Sequence, residues 1–115
     1  MAFIRGRFCE LAAENCGLDR TEQYLLGMLS MLPVMLHLPM RELTSSLAVR
    51  QEIRQALNRE DVAERVLLTW IEHHERAQWE ACDTVVQTSG LNQALLLSHY
   101  ADAVEWAEDA IKFAV

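Results

Sequence analysis

Residues 21–36 carry apolar side chains almost all the way round a helical projection: Tyr24, Leu25, Leu26, Met28, Leu29, Met31, Leu32, Val34 and Met35. A helix lying on a protein surface keeps a polar stripe toward water. This segment has none, so the pattern predicts a central, deeply buried helix with Leu25, Leu29 and Leu32 in the core. Such an element has to be covered on every side by other helices. Gly27 and Ser30 are small enough to let one of them approach closely, and Pro33, which lacks a backbone donor, should kink or end the helix. The apolar run over residues 25–38 is interrupted by Gly27, Ser30, Pro33 and His37. It also falls short of the roughly 20 residues that cross a bilayer, so it reads as a core helix and no membrane association is expected.

The flanking sequence supplies the cover. Ile4, Phe8, Leu11 and Ala12 fall on one face of a first helix. Gly17 then offers the left-handed residue that ends helices, with Leu18 able to fold back onto the last turn. Asp19, followed three positions later by Glu22, has the form of a capping box for the second helix. Pro39 suits the start of a short helix through Leu43. Another is expected over residues 50–57, turning Ile53, Ala56 and Leu57 inward. A longer one is expected over residues 60–75, where Ala63, Val66, Trp70, Ile71 and His74 share a face. The next, residues 79–88, buries Cys82, Val85 and Val86, and Gly90 closes it. Asn92 is a good N-cap for a last helix whose inner side carries Leu96, Tyr100, Ala103, Val104, Ala107, Ala110 and Ile111, with Trp106 as a packing anchor beside them. No stretch alternates strictly between apolar and polar, and four Gly with two Pro are too few for a turn-rich β-sandwich. The predicted architecture is all-α: one compact, irregular bundle of about seven helices spanning residues 1–115.

Ten Lys and Arg stand against 17 Asp and Glu, a formal charge of −7. Binding to nucleic acid needs a basic face, whereas the arginines here are scattered among acidic neighbours, so no nucleic-acid partner is expected. Three cysteines, Cys9, Cys16 and Cys82, form no CxxC, and their odd number argues against a disulfide framework. Residues 1–8 hold two arginines and no apolar stretch of signal-peptide length. A cytoplasmic location is expected.

Candidate chemistry is sparse. His73, His74 and Glu75 are adjacent, but neighbouring residues on a helix point about 100° apart, while zinc-binding helices use i, i+4 spacing. Ser30 lies in a buried helix rather than a strand–turn–helix elbow. No cysteine sits in a Cys/His motif, and no glycine loop is built to cradle phosphate. Asp102, Glu105, Glu108 and Asp109 form a solvated edge of the last helix. No catalytic residue, metal ligand or cofactor is therefore assigned.

Five segments, in order, resemble a known family. Residues 5–12 (Arg-Gly-Arg-Phe-Cys-Glu-Leu-Ala), 24–32 (Tyr-Leu-Leu-Gly-Met-Leu-Ser-Met-Leu) and 52–57 (Glu-Ile-Arg-Gln-Ala-Leu) resemble the C-terminal half of HDOD domains, as do residues 75–79 and 100–107. HDOD domains are helical modules related to the HD phosphohydrolase superfamily without its complete metal-binding set. The variety most similar is the one fused behind an EAL domain, the bacterial cyclic di-GMP phosphodiesterase fold. The resemblance implies an HD-superfamily-like bundle whose other half, and any EAL domain, would precede Met1. It implies a non-catalytic regulatory or protein-interaction module with an EAL or other signalling domain, or the other HDOD half, as partner. No EAL catalytic or nucleotide-binding residue is matched. Three positions depart from the family pattern: Pro33 replaces an acidic residue, Arg50 an N-cap serine and Ala77 a turn glycine. Uncovered apolar residues at the two ends, Ile4, Phe8, Phe113 and Val115, are expected to form an interface, with a homodimer through the terminal helices as one outcome. The alternative reading is part of an HD-type metal-dependent phosphohydrolase; a contiguous His-Asp pair would favour it, and none occurs. A helical adaptor holding a small apolar ligand between the second and last helices is a third.

Overall fold

A computed structural model describes residues 1–114, with side chains through Lys112. The fold is all-helical, and no strand occurs among the described residues. Helix α1 (Ala2–Ala12) runs into a 3-10 turn (Ala13–Cys16) that Gly17 ends in the left-handed region at φ 67°. The Leu18 N–H donates to the Ala13 carbonyl at 3.0 Å, which satisfies one of the orphaned carbonyls. Helix α2 (Arg20–Leu29) is capped by Asp19, whose carboxylate accepts from the Glu22 N–H at 2.8 Å. Only half of the expected capping box forms. The Glu22 side chain turns outward and accepts from Arg50 at 2.6 Å instead of reaching back to its own helix end.

The predicted helix over residues 21–36 is two helices. Pro33 has no N–H to offer the Leu29 carbonyl, so α2 stops there and the chain makes a tight turn. In that turn the Met31 N–H donates to the Met28 carbonyl at 3.4 Å and the Ser30 hydroxyl to the Gly27 carbonyl at 2.7 Å. Helix α3 (Leu32–Leu36) restarts with Pro33 in its first turn and ends at His37, in the left-handed region at φ 55°. Helix α4 (Met40–Thr44) follows Pro39, and α5 (Gln51–Leu57) follows Arg50. The helix expected over residues 60–75 starts late. Val62 is extended, a 3-10 turn covers Ala63–Arg65, and α6 spans Val66–Glu75. Ala77, at φ 57°, carries the chain into α7 (Trp79–Ser89), which Gly90 ends at φ 67°. Asn92 accepts from the Leu95 N–H at 3.1 Å and opens α8 (Gln93–Ala114).

The central elements are α1 and α6, not α2. Helix α1 packs most extensively on α2, then on α8, and also touches α6, while α6 packs on α7. Phe8, expected at an interface, is fully buried; it stacks on Trp70 with ring centroids 5.1 Å apart and meets the edge of Tyr100 at 6.5 Å. Ile4 is partly buried against the same core. The expectations for Phe113 and Val115 lie outside the described side chains. Around Phe8 and Trp70 gather Leu26, Ile53, Leu57, Leu67, Leu68, Ile71 and Leu96.

Leu25 is a second correction: it is 45% exposed, while its neighbour Leu26 is fully buried. The bundle covers α2 from one side, so the residue turned about 100° away from Leu26 remains in solvent. Leu29 is half-buried against the core, and Leu32, also half-buried, lies outside that cluster. Trp106 is half-buried as well, with the Arg7 guanidinium 5.4 Å above its ring. Gly27 does admit its neighbour: a Cβ there would lie 2.6 Å from the Arg5 carbonyl carbon and 2.7 Å from the Gly6 Cα.

Candidate functional site

The densest polar arrangement joins α1, the end of α2, the segment after α5, and α6. Arg5 grips Glu75 with its Nε 3.0 and 3.1 Å from the two carboxylate oxygens and one Nη at 2.6 Å; its other Nη donates to Ser30 Oγ at 3.0 Å. Glu72, one turn back on α6, accepts from Arg65 at 2.5 Å and from Arg59 at 3.2 Å, with Arg5 at 4.0 Å. Arg65 also donates to the Ala56 carbonyl. Glu72 and Arg65 are both buried. Ionised groups at such depth persist only when paired and hydrogen-bonded.

The electrostatics are not balanced. Burial works against the Arg5 charge, but its contacts with Glu75 and the field of Glu72 outweigh it and raise the Arg5 pKa. For Arg65 the balance falls the other way: burial, opposed by Glu72 but reinforced by Arg59 and Arg5, lowers it. The guanidiniums Arg5, Arg59, Arg65 and Arg76 and the carboxylate Glu72 border one cleft of about 350 Å³. Its remaining wall includes Ser30, Met31, Pro33, Val34, Met40, Leu57 and Leu68. This cleft lies beside α3 and α6, not between the second and last helices. Beyond it, Val34 (69% exposed), Met35, Leu36 and Leu38 turn outward in one short run.

The histidines are used differently. His74 stacks on Trp70 at 4.9 Å, with the edges of Tyr100 and Trp79 at 4.4 and 5.2 Å. Burial lowers its pKa, with Glu75 opposing. His73 points elsewhere and pairs through Nδ1 with Gln78 at 2.8 Å. Among the described residues no three His, Cys, Asp or Glu side chains converge as a metal site. Cys9 is fully buried, and burial pushes its thiol up to about 12. Asp102, Glu105, Glu108 and Asp109 are exposed.

No protein-family profile matches the chain, and no solved structure does. Two curated proteins are similar along it. The uncharacterized protein YuxH of Bacillus subtilis is 26% identical over 110 residues, 95% of this chain and 26% of that protein. The cyclic di-GMP phosphodiesterase CdgJ of Vibrio cholerae is 24% identical over 111 residues, again 95% of this chain and 26% of that protein. The chain thus spans about a quarter of the length of the curated relatives it matches. Among the described residues no helix is long and apolar enough to cross a membrane.

The Arg–Glu network escaped sequence reasoning for a plain reason. Arg5 and Glu75 are 70 positions apart, and nothing local in the sequence pairs them. One signal was present. Arg65 and Glu72, two helical turns apart, share a face that also holds buried Leu68, so charged residues stood on an inward face and called for partners.

Proposed function

We propose that this chain is a non-catalytic regulatory and protein-interaction module of bacterial signal transduction that works with an EAL-type cyclic di-GMP phosphodiesterase. The similarity to CdgJ along 95% of the chain supports the link to cyclic di-GMP signalling and carries that part of the reading. The ordered HDOD-like segments agree with it, since that family's variety of interest is fused behind an EAL domain. The interaction role is supported by the exposed run Val34, Met35, Leu36 and Leu38, because clustered apolar surface on a soluble bundle marks a place where something docks. The non-catalytic role is supported by how the titratable groups are engaged. Glu72 and Glu75 are held by arginines, His74 lies among aromatic rings, and the Cys9 thiol is kept protonated by burial. The cytoplasm is the matching location.

Calorimetric titration of the chain into an EAL-domain phosphodiesterase from the same genome tests this. A saturable complex is expected, weakened by Val34→Asp and Leu36→Asp. These positions are solvent-exposed, so the variants keep the fold. Absence of any complex, or a complex indifferent to both substitutions together with cyclic di-GMP hydrolysis by the chain alone, overturns the reading.

A further inference from the structure

We propose that the cleft between α1, α3, α5 and α6 binds a small organic phosphomonoester, with Arg59 and Arg76 gripping the phosphate at the mouth and Arg5 and Arg65 supplying positive field behind it. Four guanidiniums here face two carboxylates, Glu72 and Glu75. That leaves an excess of two positive charges in a chain whose formal net charge is −7. The lining is shared between these charged groups and apolar side chains, so an anion seated between the exposed Arg59 and Arg76 meets the local positive excess beside a low-dielectric wall, where its attraction is screened less than in open water.

The free hydrogen-bond donors lie where a ligand would meet them. Arg59 is 66% exposed at its side chain and spends only one nitrogen on Glu72. Arg76, exposed, makes no ion pair among the described residues. A guanidinium offers five donors in a planar fork that matches phosphate oxygens two at a time. Arg5 and Arg65, by contrast, are nearly buried and already committed to Glu75, Glu72 and a carbonyl, so they contribute field more than contact.

The ligand class follows from charge and shape. A phosphomonoester carries between about −1.5 and −2 at neutral pH, which matches the local excess; a carboxylate or a phosphodiester supplies one charge only. Met31, Pro33, Val34, Met40, Leu57 and Leu68 offer an apolar wall. A space of about 350 Å³ is at the lower end of ligand pockets, so it suits a compact organic body. An extended polyanion does not fit, since the rest of the surface is acidic. This proposal stands apart from the interaction reading above, and its failure leaves that reading intact.

Phenyl phosphate, phenyl methyl phosphate and phenol are the probes, titrated into the whole chain at low salt and followed by amide and arginine Nε signals in NMR. Saturable shifts centred on Arg59, Arg76 and Val34 are expected with phenyl phosphate. The singly charged diester should bind about tenfold more weakly or worse, and phenol should leave the arginine signals unmoved. Arg59→Gln and Arg76→Gln, each made singly, should weaken phenyl phosphate about tenfold, while Arg20→Gln, the same loss of one charge at the exposed pair with Glu14, leaves it unaltered. Lowering the pH below the second phosphate pKa, about 6, should weaken binding as well. No saturable shift, equal binding of monoester and diester, or equal loss in the Arg20→Gln control each overturns the proposal.

Discussion

Glu72 holds the guanidiniums of Arg59 and Arg65 within hydrogen-bond distance while itself buried. A carboxylate in that position does more than add a favourable contact; it is what permits Arg65 to be buried. Removing one partner of a buried pair costs about 3–5 kcal/mol, because the other charge is left without compensation. Glu72→Gln keeps the shape and one acceptor, so a loss of about 3 kcal/mol is expected, read as a lower urea midpoint with an unchanged slope. A second residue-scale consequence concerns acid. Burial between Trp70 and Tyr100 lowers the His74 pKa, with Glu75 opposing. A histidine depressed in the folded state binds its proton more readily when unfolded, at about 6.5. Its contribution to stability is therefore complete above that pH and is lost as the pH falls toward the folded value. Denaturation midpoints at about pH 7.5 and about pH 5.5 should show the acid loss, and His74→Phe, which keeps an aromatic ring on Trp70, should reduce it. An equal decline in both proteins contradicts the assignment.

At the scale of elements, the helix ends were legible because they are local. Gly17, Gly90 and the caps at Asp19 and Asn92 need only a few neighbouring residues to specify them, and each takes the expected conformation. Gly27 was legible too, since an apolar helix needs a place for its neighbour to come close. Gly27→Ala would drive a methyl group to 2.6 Å from the Arg5 backbone. Backbone cannot yield as a side-chain tip does, so α1 and α2 must separate, at a cost of about 1–3 kcal/mol or more, visible in thermal unfolding. Which side of a helix is covered was not legible. Composition alone cannot distinguish Leu25 from Leu26, and the outcome depends on α1 and α5 lying on one side of α2. Trp106 illustrates the same point. Its periodicity suggested core, but it is half-buried under Arg7. Trp70→Ala is expected to cost about 3–5 kcal/mol, and Trp106→Ala about 1–2 kcal/mol from partial packing and the cation–π contact. Equal denaturant midpoints for the two variants would contradict the burial assigned to them.

Across the whole molecule, the all-helical class followed from periodicity, while the site depended on contacts that bring residues from distant parts of the sequence to one place. Arg5, Arg59, Arg65, Glu72 and Glu75 come together only because α1 inserts beside α6. The same insertion buries Phe8, removing it from any interface, and the exposed apolar run falls to α3 instead. The proposed action through a partner rests on that apolar edge. The most direct test is the turnover of an EAL-domain phosphodiesterase from the same genome on cyclic di-GMP, measured with increasing amounts of this chain. The account predicts a saturable change in turnover, absent with Val34→Asp and Leu36→Asp, and no product from the chain by itself. Turnover unchanged at saturating chain, or product formed by the chain alone, contradicts it.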